Sequence, residues 1–121
     1  MGNDSVIFSE ETSLEYNSKY PFYNEPYIRA QEAHWNDVLF IRGYVFLSDV
    51  KRALGLKIRP SDVITGWILD PKNPKSHDAL KINVSKQYGI EDELVLDFNT
   101  DGVIWNLIDV WEERRGEKVI K

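Results

Sequence analysis

The hydrophobic period of this chain changes once, at Pro60, and that switch constrains its fold more than any single motif. Upstream, Tyr27, His34, Val38 and Ile41 recur at helical spacing, with Ile28, Trp35 and Leu39 as a neighbouring stripe. Phe46, Val50, Ala53 and Leu54 repeat the pattern, and Gly43 and Gly55 stand where helices would stop. This predicts helices over about Glu25–Arg42, with Asn24 as N-cap, and Val45–Leu54. Downstream, β-branched and aromatic residues alternate with polar ones, predicting strands at Val63–Leu69, Leu80–Ser85, Leu94–Phe98 and Val103–Trp105. Asn99-Thr100-Asp101-Gly102 reads as a hairpin turn joining the last two. At the end Val103, Trp105 and Leu107 alternate as a strand, whereas Ile104, Leu107, Ile108 and Trp111 are spaced as a helix face, so the expectation is a strand that gives way to a short helix or irregular tail. A block of helices followed by a block of strands implies an α+β fold, two N-terminal helices packed on a small antiparallel sheet of about four strands.

A chain of 121 residues accommodates one such domain. Its first nineteen residues are polar and acidic, with Val6, Ile7 and Phe8 as their main apolar cluster. They read as an arm, loosely docked or ordered by a partner, leaving residues 20–121 as the domain. The chain has no cysteine, which excludes disulfide scaffolds, thiolate metal sites and thiol catalysis. No apolar run reaches membrane-spanning length, and the acidic N-terminus does not resemble a secretory signal.

Charge is unevenly spread around the formal net value of −5. Four acids precede the first base, Lys19, and no base occurs between Gln87 and Glu113, where eight acids fall. The bases between Arg29 and Lys86 form no clustered run, which argues against nucleic-acid binding. The acidic end is either a solvated face or a surface for a basic partner. Within it Trp105 and Trp111, flanked by Glu112 and Glu113, read either as core packing or as an interface anchor.

The sharpest chemical motif is Asp97-Phe98-Asn99-Thr100-Asp101-Gly102-Val103-Ile104, which matches the first half of a calcium loop. The second half fails, because Ile108 stands where a bidentate glutamate is needed. The expectation is therefore a turn in which Asn99 and Asp101 satisfy backbone groups, with a metal-binding module or metal-dependent enzyme at Asp97, Asn99 and Asp101 as an alternative. Asp70, Asp78, Asp97 and Asp101 at strand ends would suit a two-metal nuclease, but turn chemistry explains each more simply. His34, three residues before Asp37, reads as a core histidine, and His77 lies in a turn-rich loop. The Gly-x-Ser-x-Gly, dinucleotide and phosphate-loop signatures are missing, so no catalytic activity and no cofactor are expected.

Three ordered blocks carry a resemblance: Tyr44-Val45-Phe46-Leu47-Ser48-Asp49-Val50 with Leu54-Gly55, then Val63 to Asp70, then Leu94 to Ile104. Together, over about Tyr23 to Ile108, they resemble an uncharacterised family of small phage- and prophage-encoded proteins of Gram-positive bacteria. Many of those relatives begin with an apolar, membrane-like segment where this chain has an acidic arm. The resemblance implies a viral context, in the host cytoplasm or the assembled virion, and no chemistry. With the polar arm, it leads to an expected function as a non-catalytic virion or assembly component acting by protein–protein contact or self-association. The arm cluster Val6, Ile7, Phe8 and the acidic segment Trp105, Trp111, Glu112, Glu113 are the expected contact surfaces. The rival is an accessory inhibitor of a host defence system that uses its acidic surface.

Overall fold

The computed structural model describes residues 5–69, 79–86 and 93–108, and within them strand and helix are mixed, with strands also upstream of Pro60 where helices alone were expected. The elements in order are β1 (Ser5–Phe8), a 3-10 turn at Pro21–Tyr23, α1 (Asn24–Arg42), β2 (Tyr44–Phe46), α2 (Leu47–Ala53), a 3-10 turn at Pro60–Val63, β3 (Gly66–Ile68), β4 (Ile82–Lys86) and β5 (Leu94–Phe98). Every strand pairing among the described residues is antiparallel, but they form no single four-stranded sheet. One sheet has the order β1-β5-β4, and a second pairs β2 with β3.

Helix α1 ends as its sequence dictates. Gly43 caps it in the left-handed region and donates its N–H to the Leu39 carbonyl at 2.8 Å. Its start is one residue earlier than expected. Asn24 is the first helical residue instead of the cap, and its buried side chain accepts the Asn17 N–H at 2.8 Å while donating to the Asn17 carbonyl. The predicted second helix loses its first turn to strand. Tyr44–Phe46 form β2 because Gly66 on β3 has no Cβ, which would collide with the Val45 carbonyl oxygen. The close approach lets two three-residue strands pair.

The N-terminal segment differs most from expectation. Ser5–Phe8 are not part of a loose arm but a strand of the main sheet, in register with β5 as Ser5↔Asp97, Val6↔Leu96, Ile7↔Val95 and Phe8↔Leu94. Phe8 is fully buried in the core and packs against Tyr16. The rest of the segment is tied to the end of α2. Ser13 bridges to Leu56 and its hydroxyl donates to the Leu54 carbonyl, while Leu14 donates to the Gly55 carbonyl. Gly55 has a φ of 70°, and a side chain there would run into the Glu15 and Leu14 backbone.

The expected hairpin after β5 does not form. Instead of folding back on β5, the chain crosses to the smaller sheet. Asp101 donates its N–H to the Gly66 carbonyl at 2.7 Å, Gly66 donates to Gly102 at 3.0 Å, and Val103 bridges to Thr65. The fourth expected strand is reduced to that bridge, and residues 105–108 are helical. Val63 likewise belongs to the 3-10 turn and not to β3.

The core between these layers is built from Phe8, Ile28, Leu39, Val45, Trp67 and Leu96, among others. Of the two stripes expected on α1, Ile28 and Leu39 are buried and Tyr27, Trp35 and Val38 pack against the core, whereas His34 and Ile41 are exposed. No helix among the described residues is long and apolar enough to cross a membrane.

Candidate functional site

Which way each strand's backbone faces can be followed across the main sheet. Ile82 points its N–H and C=O away from β5, donating to Glu32 Oε2 at 2.7 Å and accepting from Arg29 Nη1 at 2.8 Å. Two residues earlier, Leu80 exchanges both backbone groups with the Asn36 side chain, at 2.7 and 2.8 Å. Helix α1 thus lays three polar side chains along the start of this edge as a surrogate strand, covering it at Leu80 and Ile82. Because hydrogen-bonded and non-bonded pairs alternate in antiparallel ladders, Asn83 and Ser85 face β5, and Leu94 and Leu96 face β1. On β1, therefore, Val6 and Phe8 bond inward while Ser5 and Ile7 present their backbone groups to the outer edge.

That outer edge lines a groove of about 690 Å³. Ser5, Val6 and Ile7 form one wall, and Leu56, Lys57 and Arg59 line it from the stretch leading to Pro60. The Ile7 carbonyl accepts the Thr12 hydroxyl at 2.6 Å, and the same hydroxyl oxygen accepts the Ser9 N–H at 2.8 Å. The Ile7 N–H has no acceptor on this side among the described residues.

Lys51 also lines the groove, yet it is only 1% exposed, as is Asp62, with which it pairs at 3.0 Å. Pro60 opens the 3-10 turn that carries Asp62, and Asp62 caps it by accepting the Arg59 N–H at 2.7 Å. The Arg59 guanidinium reaches its other oxygen at 3.3 Å. Burial pushes the Asp62 carboxyl up, but the Arg59 N–H, the Lys51 ammonium and the Arg59 guanidinium together outweigh it and hold the group below the usual carboxylate range. Sequence reasoning missed this pair. Lys51 follows Val50 on a helix, and only Pro60-Ser61-Asp62 hinted at a capping carboxylate.

The residues of the half calcium loop are engaged elsewhere. Asn99 Oδ1 accepts both the Trp67 indole N–H at 2.8 Å and the Lys81 N–H at 2.7 Å, and its amide donates to the Ala79 carbonyl. Asp101 accepts the Ile68 N–H at 2.9 Å, and Asp97 accepts the Ser5 hydroxyl. The side chains of Asn99 and Asp101 thus join the two sheets, each by accepting a backbone or indole N–H.

Of the contact residues singled out in the sequence, Phe8 is in the core, Val6 is half-buried, and Ile7, at 38% exposure, stands at the groove. Trp105 is 57% exposed, with Val63 and Val103 half-exposed on the segments that pair beside it. Trp111, Glu112, Glu113, Asp70, His77 and Asp78 lie outside the described residues. His34 is an exposed residue packed edge-on against Trp35, not a core histidine.

A model described as a family of unknown function, DUF6353, matches residues 2–108, and the chain belongs to that family. The match begins ahead of β1 and so includes the segment that the sequence set apart as an arm. No curated protein and no solved structure shows significant similarity to the chain.

Proposed function

We propose that this member of DUF6353 acts without catalysis, by protein–protein contact, and that the contact is made when an extended segment of a partner adds to the outer edge of β1. One observation carries the reading: β1 has an outward-facing backbone along a groove, without the side-chain cover that the start of the opposite edge receives. The edge at Leu80 and Ile82 is covered by Arg29, Glu32 and Asn36, whereas the β1 edge borders an open groove with the Ile7 N–H directed outward. Such an edge is a template for strand addition, in which backbone bonds supply affinity and pockets for alternate side chains supply selectivity. The Ile7 carbonyl keeps a second lone pair beside Thr12, so an incoming strand finds both a donor and an acceptor. The resemblance to small phage and prophage proteins supports placing this contact in virion assembly.

The alternation of the β1 backbone supplies the test. Ile7→Pro removes an outward N–H and leaves the β1–β5 ladder intact, as proline on an edge strand permits. Val6→Pro removes an inward N–H and should destabilise the sheet. Full-length protein and the Ile7→Pro variant are compared by affinity capture from host cells and by light scattering, with circular dichroism as the control for folding. The expected result is loss of the captured partner in a folded Ile7→Pro protein. Capture that is indifferent to this substitution refutes the reading, and concentration-dependent dimerisation lost in the variant identifies a second copy as the partner.

A further inference from the structure

Helix α1 carries large apolar side chains on the side that faces away from the core as well as on the side that faces it. Phe22 and Tyr23, in the 3-10 turn that leads into the helix, and Phe40 and Ile41, in its last turn, are between 55% and 82% exposed. Eighteen residues separate Phe22 from Phe40 and Tyr23 from Ile41, which is five turns at 3.6 residues each, so each pair lies on one flank of the helix. Between the two clusters run Pro26, Ala30, Ala33 and Asp37, at i, i+4, i+7 and i+11, all of them exposed. The outer face is therefore bulky at both ends and low in the middle, about 27 Å from one end to the other. Asp37 is the one charge of that central stripe, and it makes no hydrogen bond or ion pair among the described residues.

We infer that this face docks a second copy of the chain, α1 against α1 in antiparallel order about a two-fold axis. A pattern that repeats after five whole turns is its own complement. Turning one helix end for end sets Phe22 on the partner's Phe40 and Tyr23 on the partner's Ile41, and the reverse contacts follow by symmetry. Ala30 and Ala33 cross at the centre, where their small side chains let the two backbones approach. Asp37 comes beside the first turn of the partner's α1, where a helix N-terminus favours an anion. The area is sufficient. With about 150–250 Å² on an aromatic side chain, the four large residues expose roughly 500–600 Å², and the stripe between them brings each copy toward the ~800 Å² per partner of a stable dimer. No residue of the β1 groove takes part, so this contact stands apart from strand addition.

The test follows the full chain by sedimentation equilibrium. Wild type should dimerise reversibly, and Phe40→Glu, at an exposed site, should raise the dimer Kd by about a hundredfold, because two-fold symmetry places the carboxylate in the interface twice. Ile41→Glu, on the other flank, should do the same, with circular dichroism as the check that both variants are folded. Ile7→Pro should dimerise as wild type does. The chain has no cysteine, so introduced ones report the orientation. Tyr23→Cys and Ile41→Cys proteins should form a disulfide-linked dimer when mixed and oxidised. Neither should do so alone, since like positions lie about 27 Å apart in the antiparallel pair, out of disulfide reach. A monomer at every concentration, or a dimer indifferent to both glutamate substitutions, overturns the inference. Cross-linking of each cysteine protein with itself and not with the other shows a parallel pair and overturns it too. A dimer lost only in Ile7→Pro assigns self-association to β1 instead, overturning the α1 contact and leaving strand addition standing.

Discussion

Cutting the buried pair from its two ends should give unequal losses. Lys51 and Asp62 are both 1% exposed and 3.0 Å apart. At an effective dielectric of ~20, two unit charges at that separation attract by about 5–6 kcal/mol, much of it offset by the cost of removing both from water. The partners differ in what else holds them. Asp62 receives three donors, from Lys51, the Arg59 N–H and the Arg59 guanidinium, whereas Lys51 has Asp62 as its acceptor among the described residues. Asp62→Ala therefore strands a buried ammonium and should cost about 3–5 kcal/mol. Lys51→Met leaves the carboxylate with both Arg59 donors and fills the space of the lysine stem, so its cost should be about 1–3 kcal/mol. Urea unfolding at pH 7, followed through the buried Trp67, measures both, and Asp62→Ala should lower the midpoint by roughly 2 M. An equal or larger loss in Lys51→Met would refute the reasoning. The pH dependence has a fixed sign as well. The Asp62 carboxyl is depressed in the folded state, so on acidification the unfolded chain takes up the proton first. Its contribution is complete above the ordinary carboxylate range and is lost as pH falls below about 4. The acid limb of the stability profile should be shallower in Asp62→Ala than in wild type.

Gly66→Ala places a methyl group against the Val45 carbonyl oxygen and should cost about 3 kcal/mol or more, visible as a collapse of the urea midpoint. Asn99→Ala leaves the Trp67 indole N–H and the Lys81 N–H without their acceptor, an expected loss of about 2–4 kcal/mol in the same assay. Because the oxygens of Asn99 and Asp101 serve such donors, millimolar Ca²⁺ or Mg²⁺ should leave the thermal midpoint unchanged. A saturable rise that disappears in Asp101→Ala would restore the metal-binding alternative.

Local pattern was legible where the structure is local. The end of α1 at Gly43 and the full extent of β5 follow from the residues in place, since Leu94, Leu96 and Phe98 are buried and Val95 and Asp97 are half-buried, as strict alternation demands. What escaped depends on distant partners. Four residues of alternation in β1 are too few to register against an acidic background, and the strand that completes them lies about ninety residues away. Tyr44–Phe46 fit the helical spacing of α2 as well as they fit a strand, and the outcome is decided by Gly66 across the sheet. The groove was beyond reach of the sequence for the same reason, because its walls come from β1, the end of α2 and the approach to Pro60.

The polar margin of α1 bears on the proposed contact. Read by hydrophobicity alone, Arg29, Glu32 and Asn36 belong on the solvent side, and Arg29 is exposed, with Glu32 and Asn36 half-buried. From that margin they reach the backbone of Leu80 and Ile82, buried residues whose N–H and C=O groups need partners. Three polar side chains thus cover the start of one edge. On the other edge the Thr12 hydroxyl meets the Ile7 carbonyl, and within Ser5–Phe8 there is no charge, no proline and no bulge of the kind that protects exposed strands. A sheet that only had to avoid association would be expected to guard β1 with one of these devices. That β1 instead borders a groove flanked by Lys57 and Arg59 is the physical ground for treating this edge as a receptor for another chain.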